Sequence, residues 1–276
     1  MTLGLFQREV TVAVLASGSA GNCTYIGDRH AGVLVDCGLS TRQILRRMDE
    51  LGLGDAPIDG VLITHEHSDH IGGARVLANK LRKRTGKGVP FFMTRGTLAG
   101  APPQCIPDGI EPIVAGQTFR VRHLEVDPFT VPHDVEDPVA FRVRVGDTCT
   151  AVITDLGRPT ALVARKMRQC DVIVLEYNHD MRQLMEGAYP WHLKQRIRSN
   201  HGHLSNDQAD QLLTNGLGNR LQHLVLAHLS DQNNNRDRAK AHALQALHKL
   251  GADHVSVQVA RQDAALPPLR VTASDW

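Results

Sequence analysis

The chain has 276 residues, with 31 basic and 29 acidic side chains, a formal charge of +2 and 42% hydrophobic residues. This length is sufficient to bury a large core, and the balanced charge argues against a surface that binds nucleic acid by electrostatics alone. The composition, 22% charged with 24 glycines and 13 prolines, argues against disorder, coiled coil and collagen. The sequence also has no run of 18 uncharged apolar residues that could cross a membrane.

The cysteine content and the N-terminal segment bear on the cellular compartment. Five cysteines without a C-x-x-C pair argue against a disulfide framework and are typical of reduced thiols. The apolar segment Val10–Ala16 faintly imitates a secretion signal, but Arg8-Glu9 is a poor basic leader, so we interpret the segment as the first strand. We therefore expect a cytoplasmic protein.

Strand-like and helix-like segments alternate along the chain without repeats or long linkers, which predicts a single domain over residues 1–276. The expected strands are Val10–Ala16, Cys23–Gly27, Gly32–Cys37, Gly60–Thr64, Val89–Met93, Phe119–Val126, Ala140–Val145, Cys149–Thr154, Val172–Glu176, Leu221–Ala227 and His254–Val259. The expected helices are Ser40–Leu51, Ile71–Arg84, Thr160–Arg168, Asp207–Leu213 and Arg236–Leu250, with a helical stretch interrupted near Tyr189-Pro190. Antiparallel-looking strands come first, and helices alternate with strands at both flanks. This order predicts an α/β fold with two sheets between helices, in four layers.

The dominant motif is Thr64-His65-Glu66-His67-Ser68-Asp69-His70-Ile71-Gly72-Gly73, which follows a buried strand. In an extended segment, His65 and His67 project from the same side of the backbone, and the helix start that follows turns Asp69 and His70 to a neighbouring direction. Such a segment can supply two ligands to one metal ion and two to a second. The alternative, a solvated histidine-rich loop, would give these side chains no packing purpose.

Further ligand-type residues stand where other strands end. His133, Asp155 and His228 each follow a short apolar strand. Taken singly, each is explained as well by a surface histidine or a capping aspartate. Together with the histidine cluster, they predict the remaining ligands of a metal site.

The order of these motifs resembles that of the metallo-β-lactamase superfamily over nearly the whole chain. The resemblance implies a four-layer αββα sandwich with a binuclear metal site between the sheets. It implies that one metal ion is held by His65, His67 and His133, the second by Asp69, His70 and His228, and that Asp155 bridges the two. Asp36, in Val35-Asp36-Cys37-Gly38, resembles the early aspartate motif of the superfamily, which orients the site from behind the ligands.

Histidine and carboxylate ligands suit two divalent metal ions, Zn²⁺ or Mn²⁺, without choosing between them. A hydroxide shared by two metals is a nucleophile at neutral pH, and two metals can clamp the oxygens of a phosphodiester. The expected reaction is therefore hydrolysis.

Two segments resemble the Glu…His-Ser pattern of RNase Z-like nucleases: Leu175–Asp180 and Gly202–Asn206. The resemblance implies that His203 is the general acid, with Glu176 behind it, and we expect Asp69, His203 and Glu176 to be catalytic. The alternative is that His203 caps the helix that begins near Ser205.

The Asn-His-Asp and Gly-His-Leu-Ser-Asn signatures also resemble the YycJ (WalJ) family, described as cytosolic 5′→3′ DNA exonucleases. The expected substrate is accordingly DNA, with RNA as an alternative, and Asn22, Asn178 and Asn234 are candidate substrate contacts. A basic run follows the metal-binding helix, at Lys80, Arg82, Lys83, Arg84 and Lys87. It is explained either by phosphate contacts or by a solvated helix end.

Two other functions remain open from the sequence. A glyoxalase II-like thioesterase, or another small-molecule metallo-hydrolase, shares H-x-H-x-D-H-x-G-G. A metal-binding sensor or scaffold would keep the ligands without turnover. The sequence predicts neither exonuclease over endonuclease action nor an oligomeric state.

Overall fold

The computed structural model describes residues 8–273. Its strands are β1 (Arg8–Ala16), β2 (Cys23–Gly27), β3 (Gly32–Val35), β4 (Gly60–Leu62), β5 (Phe91–Thr94), β6 (Ile110–Ile113), β7 (Phe119–Val121), β8 (Leu124–Thr130), β9 (Val139–Val145), β10 (Thr148–Ile153), β11 (Val172–Glu176), β12 (His223–Ala227), β13 (Ser256–Val259) and β14 (Leu269–Ala273). Its helices are α1 (Thr41–Glu50), α2 (Ser68–Ile71), α3 (Ala74–Thr85), α4 (Arg95–Gly100), α5 (Ala161–Met167), α6 (Met181–Glu186), α7 (Trp191–Ile197), α8 (Asn206–Gly216) and α9 (Arg236–Lys249).

The strands form two seven-stranded sheets with similar plans. The first sheet has the order β14-β1-β2-β3-β4-β5-β6, and the second has the order β13-β12-β11-β10-β9-β8-β7. Each sheet combines antiparallel hairpins on one side with parallel strands on the other: β3, β4, β5 and β6 in the first sheet, and β10, β11, β12 and β13 in the second. Each parallel half is connected through helices, as parallel strands require.

Three apolar clusters separate the layers. One lies between the sheets and combines valines of both, among them Val12 and Val33 with Val143 and Val174. The second packs the first sheet against α1 and α3, and the third packs the second sheet against α5, α8 and α9. The result is the predicted four-layer arrangement of helices, sheet, sheet and helices. No helix within residues 8–273 has the length and apolar character needed to cross a membrane.

Local signals in the sequence are largely confirmed. Ser40 and Gln43 form the predicted capping box at the start of α1. The turn at Gly146-Asp147 joins β9 and β10 as an antiparallel hairpin, and Tyr189-Pro190 separates α6 from α7. All five cysteines are unpaired and buried.

Two expected elements are divided in the structure. The helix predicted from Ile71 to Arg84 is broken at Gly72-Gly73 into α2 and α3. A Cβ atom at Gly73 would lie 2.2 Å from the Leu39 carbonyl oxygen, so the break brings this backbone against the neighbouring loop. The strand predicted over Phe119–Val126 is the hairpin of β7 and β8, which turns at Arg122 with φ = 55°.

Three elements were not predicted: α4, β6 and β14. Strand β6 contains Pro112 and lies at the edge of its sheet, where a missing N–H donor is tolerated. Strand β14 pairs with β1 across most of the chain length, with Val271 opposite Val10. Such a distant pairing leaves no local signal.

Candidate active site

The candidate site lies where strands of both sheets end at a common rim. Within each sheet, the parallel strands present their carboxyl ends on the same side. Each strand-end candidate stands within three residues of such an end or of the end of β8: Asp36, His65, His133, Asp155 and His228. A rigid sheet edge is where functional side chains can be held in fixed relative positions.

Three of these residues have a left-handed backbone. The angle φ is 61° at Asp36, 58° at Asp155 and 53° at His228, and Arg122 is the one other non-glycine residue with positive φ between residues 8 and 273. Such a conformation costs about 1–3 kcal/mol per residue and concentrates at functional sites. Backbone strain therefore coincides with the predicted ligands.

The first group of ligand atoms consists of three imidazoles. His65 Nε2 lies 3.1 Å from His67 Nδ1, and His133 Nε2 lies 3.4 Å from the same atom. His133 Nδ1 donates a hydrogen bond to the Gly202 carbonyl at 3.1 Å, which leaves Nε2 with its lone pair toward the group. Burial lowers the pKa of His65 well below its usual value and lowers that of His133. Neutral imidazoles are the form that binds metal ions.

The second group combines Asp69, His70 and His228. Asp69 Oδ2 lies 3.4 Å from His70 Nε2 and 3.5 Å from His228 Nε2. Asp155 stands between the groups, with Oδ2 at 3.1 Å from His70 Nε2 and Oδ1 at 3.9 Å from His133 Nε2. In each group the ligand atoms all lie within 4.8 Å of one another.

These side chains fit divalent metal ions better than they fit one another. His65 and His133 both approach one nitrogen of His67, which can pair with one of them at a time. Asp155 Oδ2 is buried and faces His70 Nε2 at 3.1 Å, but no hydrogen bond of acceptable geometry reaches it from the described residues, an arrangement that costs free energy unless a cation is present. Burial alone would lower the pKa of His228, but the surrounding carboxylates, Asp155 foremost, raise it to about 10. The negative potential that this shift reports also favours a metal ion.

Asp36 lies behind the second group and contacts one of its members, His70. Its Oδ2 accepts a hydrogen bond from His70 Nδ1 at 2.8 Å, and its Oδ1 accepts from the Thr64 N–H at 2.9 Å. Asp36 is 2% exposed. The carboxylate therefore fixes the orientation of the His70 ring and the start of the histidine motif.

His203 and Glu176 form a close pair at the rim. His203 Nδ1 lies 2.7 Å from Glu176 Oε1, while Glu176 Oε2 accepts hydrogen bonds from the N–H groups of Leu156 and Leu204. Burial alone would raise the pKa of Glu176, but His203 above all lowers it to about 2. Burial alone would lower the pKa of His203, whereas the Glu176 carboxylate raises it overall. The helix α8 is capped by Ser205, so the alternative role of His203 as its cap is wrong.

A cavity of about 370 Å³ opens over these groups. His67, Asp69, Asp155, His203 and His228 contribute to its floor, and Asn178 lies at one side. Other lining residues were not predicted as part of the site: Tyr189, Leu193, Arg196 and Ile197, together with Asp134. A signal existed in the sequence, since residues 187–203 combine aromatic and basic side chains without a carboxylate.

Two predicted substrate contacts require correction. Asn22 is 5% exposed, and its amide bonds Gly18 and Ser17 within its own loop and lies 3.3 Å from Asp69 Oδ2. Asn234 donates to the Tyr177 carbonyl at 2.9 Å and pairs with Asn206. Neither side chain lines the cavity. Both are therefore positioned to hold loops around the site, and Asn178 is the one of the three that lines the cavity.

The basic run lies away from the cavity. Helix α3 begins beside the site, and its final turn, which carries Arg82 and Arg84, lies about 12–15 Å along the helix axis. Arg82 pairs with Asp108 at 3.0 Å, and Arg84 pairs with Asp55 at 3.6 Å. This arrangement agrees with a solvated helix end.

Comparisons with known proteins give a consistent picture. A family model described as "Beta-lactamase superfamily domain" matches residues 32–228. The chain is 34% identical over 233 residues to Exodeoxyribonuclease WalJ of Streptococcus pneumoniae serotype 2, covering 82% of this chain and 84% of that protein. It is 34% identical over 241 residues to Exodeoxyribonuclease YycJ of Bacillus anthracis, covering 87% and 89%. Among solved structures, the metallo-beta-lactamase fold protein YhfI of Bacillus subtilis superposes with a TM-score of 0.67 at 15% identity, covering 96% and 100%.

Proposed function

Because the chain belongs to the beta-lactamase superfamily and has the metallo-β-lactamase fold, we propose that it is a metal-dependent exodeoxyribonuclease. The proposal joins two kinds of support. Relatives that match more than four fifths of the chain carry this name, and the cavity combines ligand groups for divalent metals with an acid positioned beside them. The observation that carries it is the 2.7 Å contact between His203 Nδ1 and Glu176 Oε1 at the edge of the ligand groups.

The ligand groups would hold two divalent ions, Zn²⁺ or Mn²⁺. His65, His67 and His133 would hold one ion and Asp69, His70 and His228 the other, with Asp155 between them. When bound, such ions supply a nucleophilic water at neutral pH and stabilise charge on phosphate oxygens. Asp36 holds His70 in the ring orientation that this arrangement needs.

His203 would protonate the departing sugar oxygen. Its Nδ1 is engaged by Glu176, so Nε2 is the nitrogen that can present a proton to the substrate. Glu176 raises the pKa of His203, which favours the protonated imidazole, and is itself held by two backbone N–H groups. Asn178 lines the cavity beside His228 and would contact the substrate there.

We further propose 5′→3′ polarity and a preference for DNA over RNA. The decisive experiment uses protein reconstituted separately with Mn²⁺ and Zn²⁺. Single- and double-stranded DNA labelled at either end, RNA of the same sequence, and S-lactoylglutathione are the substrates. We expect mononucleotide release from the 5′ end of DNA and a stoichiometry of two metal ions per chain.

Other results would contradict the proposal in distinguishable ways. Hydrolysis of the thioester with intact DNA would indicate a glyoxalase II-like enzyme. Bound metal without turnover of any substrate would indicate a sensor or scaffold. Release of internal fragments instead of mononucleotides would indicate that the protein is an endonuclease and not an exonuclease.

A further inference from the structure

A cluster of aromatic and basic side chains beside the cavity takes no part in the chemistry proposed above. It consists of Tyr189 and helix α7 with Arg198 at its end, and we call it the α7 wall. Trp191 is 54% exposed, whereas most large hydrophobic side chains of the described residues are buried. Trp191 begins the helix from which Leu193, Arg196 and Ile197 line the cavity.

The α7 wall is held in fixed register with the candidate acid. The His203 N–H donates to the Ile197 carbonyl at 2.8 Å. Gly202 permits this approach, because a Cβ atom there would lie 2.2 Å from the same oxygen. On the other side, the largely buried Lys194 ammonium donates to the Met185 and Gly187 carbonyls, each at 2.7 Å. A ligand bound to the α7 wall would therefore lie at a defined distance from His203.

The charge and shape of the α7 wall suit one class of ligand. Residues 187–203 carry three cations, Lys194, Arg196 and Arg198, and no carboxylate. Backbone carbonyls bind the Lys194 ammonium and Arg196 pairs with Asp134 at 2.5 Å, so the cation that bears on the argument is Arg198. The Arg198 guanidinium lies 5.4 Å from the Trp191 ring centre, a cation–π arrangement that holds the ring at the surface. Tyr189 lines the cavity itself, next to Leu193 and Ile197. Aromatic rings interleaved with cations are the means by which proteins hold single nucleic-acid strands, whose bases offer stacking faces that a duplex conceals.

We propose that the α7 wall is a base-stacking platform for one single strand of the substrate. Tyr189 would stack on the base of the nucleotide in the cavity, and Trp191 with Arg198 would receive a neighbouring nucleotide outside it. This inference rests on the proposed nuclease function and adds to it the surface that holds the strand. Since one base stacked on an aromatic side chain changes affinity by about tenfold or more, removal of Trp191 has a measurable effect.

The test compares Trp191→Ala and Trp191→Phe with Leu244→Ala. Leu244 is 45% exposed on α9 and serves as the matched control for loss of an exposed apolar side chain. Binding is measured by fluorescence anisotropy with a phosphorothioate single-stranded oligonucleotide that resists hydrolysis. We expect Trp191→Ala to weaken binding about tenfold, Trp191→Phe to retain most of it, and Leu244→Ala to match the wild type.

A second measurement locates the contact on the DNA. Oligonucleotides with one abasic position, moved stepwise from the scissile bond, should bind the wild type about tenfold more weakly at one position. The same abasic oligonucleotide should cause no further loss in Trp191→Ala, because the base and the ring form one interaction.

Unchanged DNA affinity in Trp191→Ala, or equal losses for the abasic oligonucleotide in both proteins, would overturn the platform. If the wild type also degrades DNA in that case, the proposed function stands without it. If the wild type neither binds nor degrades DNA, the proposed function fails and the platform fails with it.

Discussion

The proton on His203 is set by opposing influences on one imidazole. Removal from water disfavours the charged ring, while Glu176 at 2.7 Å favours it, and the second influence prevails. Glu176 in turn lies 3.4 Å from His228 Nδ1, so one carboxylate orients both the candidate acid and a candidate metal ligand. Neither residue is among the ligands that we assign to the metal ions. Because Glu176 also contacts the proposed ligand His228, its substitution should disturb a ligand as well as the candidate acid.

We predict that His203→Ala lowers kcat for DNA about 100-fold or more, the usual contribution of a general acid. Metal content should stay at the wild-type value, since the substitution removes none of the proposed ligands. Steady-state kinetics and elemental analysis of the same preparation measure both quantities. His248→Ala, at a side chain 77% exposed and remote from the cavity, is the control. Full activity in His203→Ala would remove it from the mechanism.

Asp36 gives a prediction about metal affinity. Asp36→Ala removes the acceptor that fixes the His70 ring, and loss of such a contact behind a ligand weakens metal binding about 10–100-fold. Competition with a chromophoric chelator measures this affinity. Asp55→Ala, which removes a fully exposed carboxylate, should have no effect. Equal affinities in Asp36→Ala and the wild type would refute a supporting role for Asp36.

At the scale of single residues, the structure brings together the candidates that stand at strand ends and places the amides of Asn22 and Asn234 outside the cavity lining. Histidine and aspartate next to an apolar strand have few structural reasons to be there, so their positions carry information. An asparagine can donate and accept within its own loop, as Asn22 and Asn234 do. Which partner it chooses depends on chain segments that meet in the folded structure.

At the scale of elements, the short helix α2 packs directly on the turn that follows β3. A Cβ atom at Gly38 would lie 1.7 Å from the Asp69 carbonyl oxygen, which is backbone and has no room to move without moving the ligands. The Cys37 N–H also donates to the His70 carbonyl at 2.8 Å. The geometry of the histidine motif is therefore fixed by a turn more than thirty residues earlier.

We predict that Gly38→Ala lowers the free energy of unfolding by about 1–3 kcal/mol, as expected for overpacking, and also lowers metal content. Gly52→Ala is the matched control, because Gly52 has a left-handed backbone and nothing near its Cβ position. The Gly52→Ala protein should be destabilised by backbone strain but should keep its metal ions. Urea unfolding and elemental analysis distinguish the two. A Gly38→Ala protein with a full complement of metal would contradict this coupling.

The turn between β2 and β3 supplies a pH-dependent contribution to stability. Asp28 Oδ1 accepts hydrogen bonds from the His30 and Ala31 N–H groups, and Oδ2 lies 2.8 Å from His123 Nε2. Burial alone would raise the pKa of Asp28, but these contacts lower it overall. A lowered pKa in the folded state contributes stability above the unfolded value of about 3.9, and this contribution is lost as the pH falls below it.

We therefore predict that Asp28→Asn is less stable than the wild type at pH 7 and that the difference shrinks between about pH 4 and pH 3. Urea unfolding at these pH values measures it. Asp55→Asn, at a fully exposed position, should show little difference at either pH. A difference between wild type and Asp28→Asn that stays constant with pH would show that the charge of Asp28 makes no contribution.

Among elements, capping and turn signals were predictive because they depend on a few adjacent residues, as at Ser40 and Gly146. The helix break at Gly72-Gly73 depends instead on contact with the Leu39 carbonyl. Strand β14 depends on pairing with β1, its partner some 260 residues away in sequence. The pattern of apolar residues within one segment carries no information about either contact, because both join segments that are distant in sequence.

At the scale of the whole molecule, the two sheets meet at the candidate site as well as in the apolar core between them. Asp69, His65, His67 and His70 follow the first sheet, whereas His133, Asp155 and His228 follow the second. Because valines of both sheets share one apolar layer, we propose that the chain folds as a single domain. Metal ions bound by both sets of ligands would tie the two sheets together at the rim.

Chelation should therefore lower the melting temperature. A ligand present at about 100 times its dissociation constant stabilises a folded protein by about 2.7 kcal/mol, which corresponds to a shift of about 5–10 °C at this size. We expect a single unfolding transition that moves down in EDTA and recovers with added Mn²⁺ or Zn²⁺. His133→Ala should reduce the shift, and His248→Ala should preserve it. A melting temperature that is insensitive to EDTA would contradict metal bridging of the two sheets.

The left-handed backbone of Asp36, Asp155 and His228 suggests a way to distinguish proteins of this fold that keep the metal site from those that have lost it. Glycine adopts that backbone without penalty, so a chain that had ceased to need the site would gain stability by placing glycine at each of these corners. We therefore expect chains of this fold that retain the metal site to keep ligand-type side chains at these three positions, and chains that have lost it to carry glycine there more often.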